Sequence, residues 1–123
     1  LVHGINTGSY RKAANVAYPA AYAPSSRTDA AAFNFNCAQR AHANYLENQI
    51  PMLGSLLLAG IRFPVASALM GAGWTVSRYL YMVGYCSGQE GGKGRYRGIT
   101  FYLFQFGLLG LTVWSGVQMV LGK

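Results

Sequence analysis

Arg40, Asn44 and Glu47 lie within the segment FNCAQRAHANYLENQIP, Phe35 to Pro51, with His42 between the first two. Spacings of four and three put the triad on one face of a helix. Ionisable groups at membrane depth are costly and usually face a bundle interior or a wet cavity. A cation, an amide and a carboxylate in one stripe are therefore suited to holding something polar. A second stripe, Trp74, Arg78, Tyr81 and Tyr85, recurs at four, three and four. Its arginine needs a partner, and its phenols need hydrogen-bond partners where buried. A third group, Lys93, Arg95 and Arg97, sits in a glycine-rich stretch from Cys86 to Gly98. Taken singly, Arg40 and Glu47 could bridge neighbouring helices, and the tyrosines could be interfacial aromatics. Taken together, a surplus of cations with few acids implies an absent anion.

The elements that must position these groups are apolar. Of the 123 residues, 52% are hydrophobic and 11% charged, against roughly 25% charged in soluble domains. The net charge is +7, but the basic residues cluster beside apolar segments, which favours a membrane over nucleic acid. Cys37 and Cys86 are too few for a disulfide framework and lack metal-ligand spacing, so they read as inert thiols and no metal is expected.

The chain reads as an all-α membrane protein, a single domain over 1–123 forming a four-helix transmembrane bundle. Residues 1–10 read as the tail of a first helix largely missing from this sequence, with Arg11-Lys12 as its basic flank. Prolines and serines between Val16 and Asp29 mark a loop. Thr28 or Asp29 can cap a second helix over 30–61, which Pro51 should bend. Arg62-Phe63-Pro64 is a turn. A third helix over 64–86 is long enough to span a bilayer core. The stretch Cys86–Gly98 reads as a flexible basic loop, and a fourth helix covers 98–121. Gln105 and Gln118 inside it should bond across helices or sit near an end. Small residues, among them Gly71, Gly73, Gly107 and Gly116, serve close packing within the bundle or between subunits. Basic residues are concentrated before the second helix and after the third, which places those loops in the cytosol.

These residues resemble the MAPEG family. The resemblance is carried by Asn36-Cys37-Ala38-Gln39-Arg40-Ala41-His42 through Asn44 and Glu47, by Arg78 with Tyr81, Gly84 and Tyr85, and by Arg97-Gly98; Arg11-Lys12 and Tyr18-Pro19 also fit. It covers nearly the whole chain. The resemblance implies four membrane helices per subunit, a homotrimer, and glutathione bound between adjacent subunits near the cytosolic face. It places Arg11, Arg40, His42, Asn44, Glu47, Arg78, Tyr81 and Tyr85 at glutathione-binding positions. Arg97 becomes the arginine that stabilises the thiolate, with Arg95 as the fallback.

The chemistry agrees: arginines suit the two carboxylates of glutathione and Glu47 its ammonium. A nearby cation lowers a thiol pKa, and the thiolate is the nucleophile. Asn48 departs from the tyrosine of the leukotriene-forming branch, which favours the broader transferases.

The resemblance thus implies a glutathione transferase or peroxidase acting on lipophilic electrophiles or lipid hydroperoxides. The membrane would be the endoplasmic reticulum or outer mitochondrial membrane, with the active site facing the cytosol. Leukotriene C4 synthase-type conjugation stays open. So do two other readings: a non-catalytic membrane scaffold on the same fold, or an accessory subunit of a larger membrane complex.

Overall fold

A computed structural model describes Leu1–Lys123. Four α-helices follow in order: α1 (Val2–Ala14), α2 (Ala30–Gly60), α3 (Pro64–Tyr85) and α4 (Phe101–Val120). A 3-10 segment (Glu90–Gly98) joins α3 to α4. By length and hydropathy alone, only α4 qualifies as a membrane span.

The first helix runs past Tyr10 to Ala14 and ends where Asn15 turns left-handed at φ 55°. Arg11 therefore lies in the last turn of α1, where a cation suits the helix C-terminus. It is buried. Its guanidinium donates to the Ala20 carbonyl at 2.6 Å and the Val16 carbonyl at 3.5 Å. It also lies over the rings of Tyr18 and Phe35, at 4.3 and 4.8 Å.

The loop after α1 is pinned along its length. Arg27 donates to the Ala14 carbonyl at 2.5 Å and pairs with Asp29 at 2.7 Å. Asn36 accepts from the Ala23 amide, and Gln39 donates to the Ala21 carbonyl. Asp29 caps α2 by accepting from the Ala32 amide at 3.2 Å. The hydrogen bond from Arg27 holds the Asp29 carboxyl below its ordinary pKa. That contribution is complete above the ordinary carboxylate range and is lost as pH falls through the lowered value. Arg11→Met should cost about 2 kcal/mol, the scale of buried hydrogen bonds from a charged donor. A lowered thermal midpoint of the purified protein would show it; an unchanged midpoint would mean that the loop holds without Arg11.

Helix α2 has 31 residues with Pro51 inside. Proline has no N–H to give the carbonyl four residues back, which is that of Glu47. Pro64 opens α3 at the first-turn position, where its missing donor costs nothing.

The core lies between α2, α3 and α4 and is built on Ala41, Met52, Trp74, Tyr81, Phe101 and Leu108. A smaller cluster of Ala14, Val16, Ala23, Ala32 and Phe35 lies under the first loop. Outside these, large apolar side chains such as Leu57, Val65, Leu69 and Leu103 face outward, the surface expected of helices solvated by lipid.

The glycine-rich stretch differs from the flexible loop its composition predicts. It folds as the 3-10 segment against α3, with Gly92, Gly94 and Gly98 buried. A Cβ on Gly94 would overlap the Gly84 carbonyl, and one on Gly98 would overlap the α3 backbone at Ser77 and Tyr81. Glycine is what allows the two backbones to touch. Gly98 thus belongs to the connector, and α4 begins three residues later than its apolar pattern predicts. Part of the small-residue pattern works inside the chain: Gly73 faces Phe104, and Gly107 faces Met70. Gly110 and Gly116 meet nothing within 4 Å.

Candidate functional site

The two polar stripes face each other because α2 and α3 run antiparallel. Arg40 on α2 stands beside the phenols of Tyr22 and Tyr85. Four residues deeper, Asn44 meets Arg78.

The outer level is open. Arg40 and Tyr85 line a cavity of about 290 Å³ with Asn36, Cys37 and Gly92. Arg95 leans over the Tyr85 ring at 5.4 Å and donates to the Gly91 carbonyl at 3.1 Å. Arg97 is exposed and donates to no group in the chain, its Cβ standing beside Gly84. Glu47 is exposed too and forms no ion pair, since Arg27–Asp29 is the one salt bridge. Arg40, Glu47 and Arg97 thus keep their charges uncommitted within the chain.

The inner level is closed. Arg78 is 1% exposed. It donates to Asn44 Oδ1 at 2.7 Å and to the Ala41 carbonyl at 3.3 Å. Its guanidinium lies 4.3 Å from the Phe101 ring centre and 4.5 Å from that of Tyr81. Aromatic faces and hydrogen bonds together make a buried cation tolerable. The Trp74 indole donates to Gln105 Oε1 at 3.0 Å, and the Gln105 amide donates to Asn48 Oδ1 at 3.1 Å. Asn48 in turn donates to the Asn44 carbonyl at 2.8 Å. Trp74 and Arg78 are one turn apart on α3, so the bonds form a polar ring through α3, α4 and α2.

The residues that the sequence singled out fall into different surroundings. Arg78 is committed to Asn44 and Ala41 through its terminal nitrogens, while its Nε has no partner and it borders a second cavity of about 220 Å³ with His3 and Tyr45. Arg11 is likewise spent on loop carbonyls. Tyr81 is buried, edge-on to Tyr85 at 5.6 Å. His42 is half-buried and stacks near His3 on α1 at 6.2 Å, while His3 stacks on Tyr45 at 4.5 Å. The sequence predicts that Gln105 bonds across helices or sits near an end; it bonds across helices, accepting from Trp74 and donating to Asn48. Asn48 and Tyr45 drew no structural role, Asn48 because its partner Gln105 lies far away in sequence on α4 and Tyr45 because it lies off the stripe.

No three His, Cys, Asp or Glu side chains cluster as a metal site would need. Cys37 and Cys86 are buried thiols, and Asn6 donates to Cys86 Sγ at 3.6 Å. The arrangement is one open, cationic, phenol-bearing recess above a sealed polar ring. Compared with models of known protein families, residues 1–117 match that of the MAPEG family.

Proposed function

Because the chain belongs to the MAPEG family, whose members are integral membrane proteins and largely glutathione-dependent enzymes, we propose that it is a glutathione transferase with glutathione peroxidase activity. In this reading it resembles microsomal glutathione S-transferase 3 within the family. Its substrates are lipophilic electrophiles and lipid hydroperoxides. One observation carries this reading: Arg40, Glu47 and Arg97 are exposed and form no ion pair within the chain, Arg40 meeting only neutral phenols.

In this reading Arg40 takes a glutathione carboxylate through its forked donors. Glu47 takes the ammonium, Asn44 donates to the ligand from one turn beyond Arg40, Tyr85 lines the recess, and His42 adds a contact. Tyr81 supports Tyr85 from below. Arg97 stabilises the thiolate. The thiolate attacks an electrophilic carbon, forming a C–S bond as the leaving group departs or a strained ring opens and takes a proton from water. With a hydroperoxide it attacks the distal oxygen: the O–O bond breaks, the lipid leaves as an alcohol after protonation, and a sulfenic acid remains. A second glutathione reduces that species to the disulfide and water.

Glu47 is an unpaired acid on an apolar helix, which supports a site completed by a neighbouring copy in a homotrimer. The membrane in this reading is that of the endoplasmic reticulum or the outer mitochondrial membrane; an orientation with the recess toward the cytosol accords with the basic loops. Calorimetric titration of the purified protein with glutathione should show binding, weakened about tenfold in Arg40→Ala, the loss of one charge-assisted contact. Absence of binding in the unaltered protein would favour the non-catalytic scaffold. A stoichiometric second protein in the purified material would favour an accessory subunit.

A further inference from the structure

Arg78 and Asn44 are joined in a way that assigns them different jobs. Arginine has donors only, so the 2.7 Å contact with Arg78 fixes which end of the Asn44 amide is oxygen. The amide orientation is set by chemistry here rather than by choice between similar atoms. The other end, the Nδ2 donor pair, makes no bond within the chain, and Asn44 is half-buried. Arg78 itself is enclosed by the Tyr81 and Phe101 rings and the Ala41 carbonyl.

We infer that Arg78 is a positioning residue: it orients the Asn44 amide so that its N–H donors stay unpaired and free to select an acceptor, a carboxylate of the bound thiol peptide. It does this without touching that ligand. Asn48, held by Gln105 and Trp74, fixes the α2 backbone at the same residue. If Asn44 could rotate, half of its orientations would present a carbonyl oxygen to a carboxylate and repel it. The proposal rests on glutathione being the ligand.

The test separates a hydrogen-bonding role from a charge contact. Arg78→Gln keeps an N–H within reach of Asn44 Oδ1 but removes the charge; Arg78→Met removes both. Calorimetry with glutathione should show Arg78→Gln within about threefold of the unaltered protein and Arg78→Met weaker by about tenfold, the worth of one oriented hydrogen bond. KM for glutathione should rise in Arg78→Met while kcat and its pH midpoint stay put, because the thiolate is governed elsewhere. In an Asn44→Ala background, Arg78→Met should cause no further loss of affinity, as for residues acting through one contact. Equal losses in the Gln and Met variants, or additive losses in the double variant, would overturn the proposal. In a Trp114→Phe background, Trp74 emission, sensitive to its bond to Gln105, reports whether each variant keeps the ring. A variant that loses it is replaced in the comparison by Arg78→Lys, which has donors only and should keep affinity within threefold; a tenfold loss there also overturns the proposal. No glutathione binding by the unaltered protein would instead sink the glutathione reading itself, and this inference with it.

Discussion

Replacing Arg97 with alanine is expected to move the pH dependence of turnover upward and to cost most at neutral pH. A free cysteine thiol ionises near 8.5, and adjacent cations bring such thiols to about 7 or below. If the bound thiol ionises near 6.5, loss of the cation reduces the thiolate fraction at pH 7 about 20-fold, while above pH 9 the difference shrinks to less than about 2-fold. The loss should therefore be largely recovered by alkali, which a folding defect would not allow. Arg97 is chosen over Arg95 on geometry: Arg95 already donates to the Gly91 carbonyl and leans on Tyr85, whereas Arg97 is exposed with no bond in the chain. Activity profiles of Arg97→Ala and Arg95→Ala across pH 6 to 9.5, roughly the range in which thiols titrate, decide between them. An unshifted profile in Arg97→Ala with a shifted one in Arg95→Ala would transfer the role to Arg95.

Gly98→Ala should be the most damaging small substitution for stability. The added Cβ would collide with backbone atoms of Ser77 and Tyr81, and helix backbone has no rotamer by which to yield. A loss of at least about 3 kcal/mol is expected, the scale of overpacking where nothing can move aside. The 3-10 segment would lift from α3, taking Arg95 and Arg97 with it. Thermal unfolding in detergent should fall steeply, and glutathione affinity should fall with it. Gly116→Ala is the control, since nothing lies within 4 Å of its missing Cβ and alanine is the better helix former. A Gly98→Ala protein as stable as the control would mean that the connector is not seated on α3.

The helices and the two stripes were legible because helical periodicity and proline or glycine punctuation are local signals. Asp29 caps α2 and Pro64 opens α3 for reasons contained in a few residues. What the sequence hid was commitment. Arg11, Arg40, Arg78 and Arg97 look equivalent as letters, yet Arg11 and Arg78 are buried on carbonyl oxygens while Arg40 and Arg97 are exposed. That distinction depends on where the Ala20 carbonyl and Asn44 Oδ1 fall in space, which spacing does not encode. The glycine-rich connector misled in the opposite direction: its glycines allow backbone contact between the connector and α3, while composition alone reads them as flexibility.

The length of α2 has a consequence for where chemistry happens. At about 1.5 Å per residue its 31 residues reach about 46 Å, against a hydrocarbon thickness of about 30 Å. Even allowing for tilt, one end rises into the headgroup zone, and the arginine-capped recess belongs to that end if the basic loops mark the water side. A water-soluble tripeptide and an oil-soluble electrophile share no bulk phase in which both are abundant. That boundary layer is where they overlap. For the proposed reaction the helix would serve as a pier: it would carry the recess to the waterline, so neither reactant need leave its own solvent to meet the other.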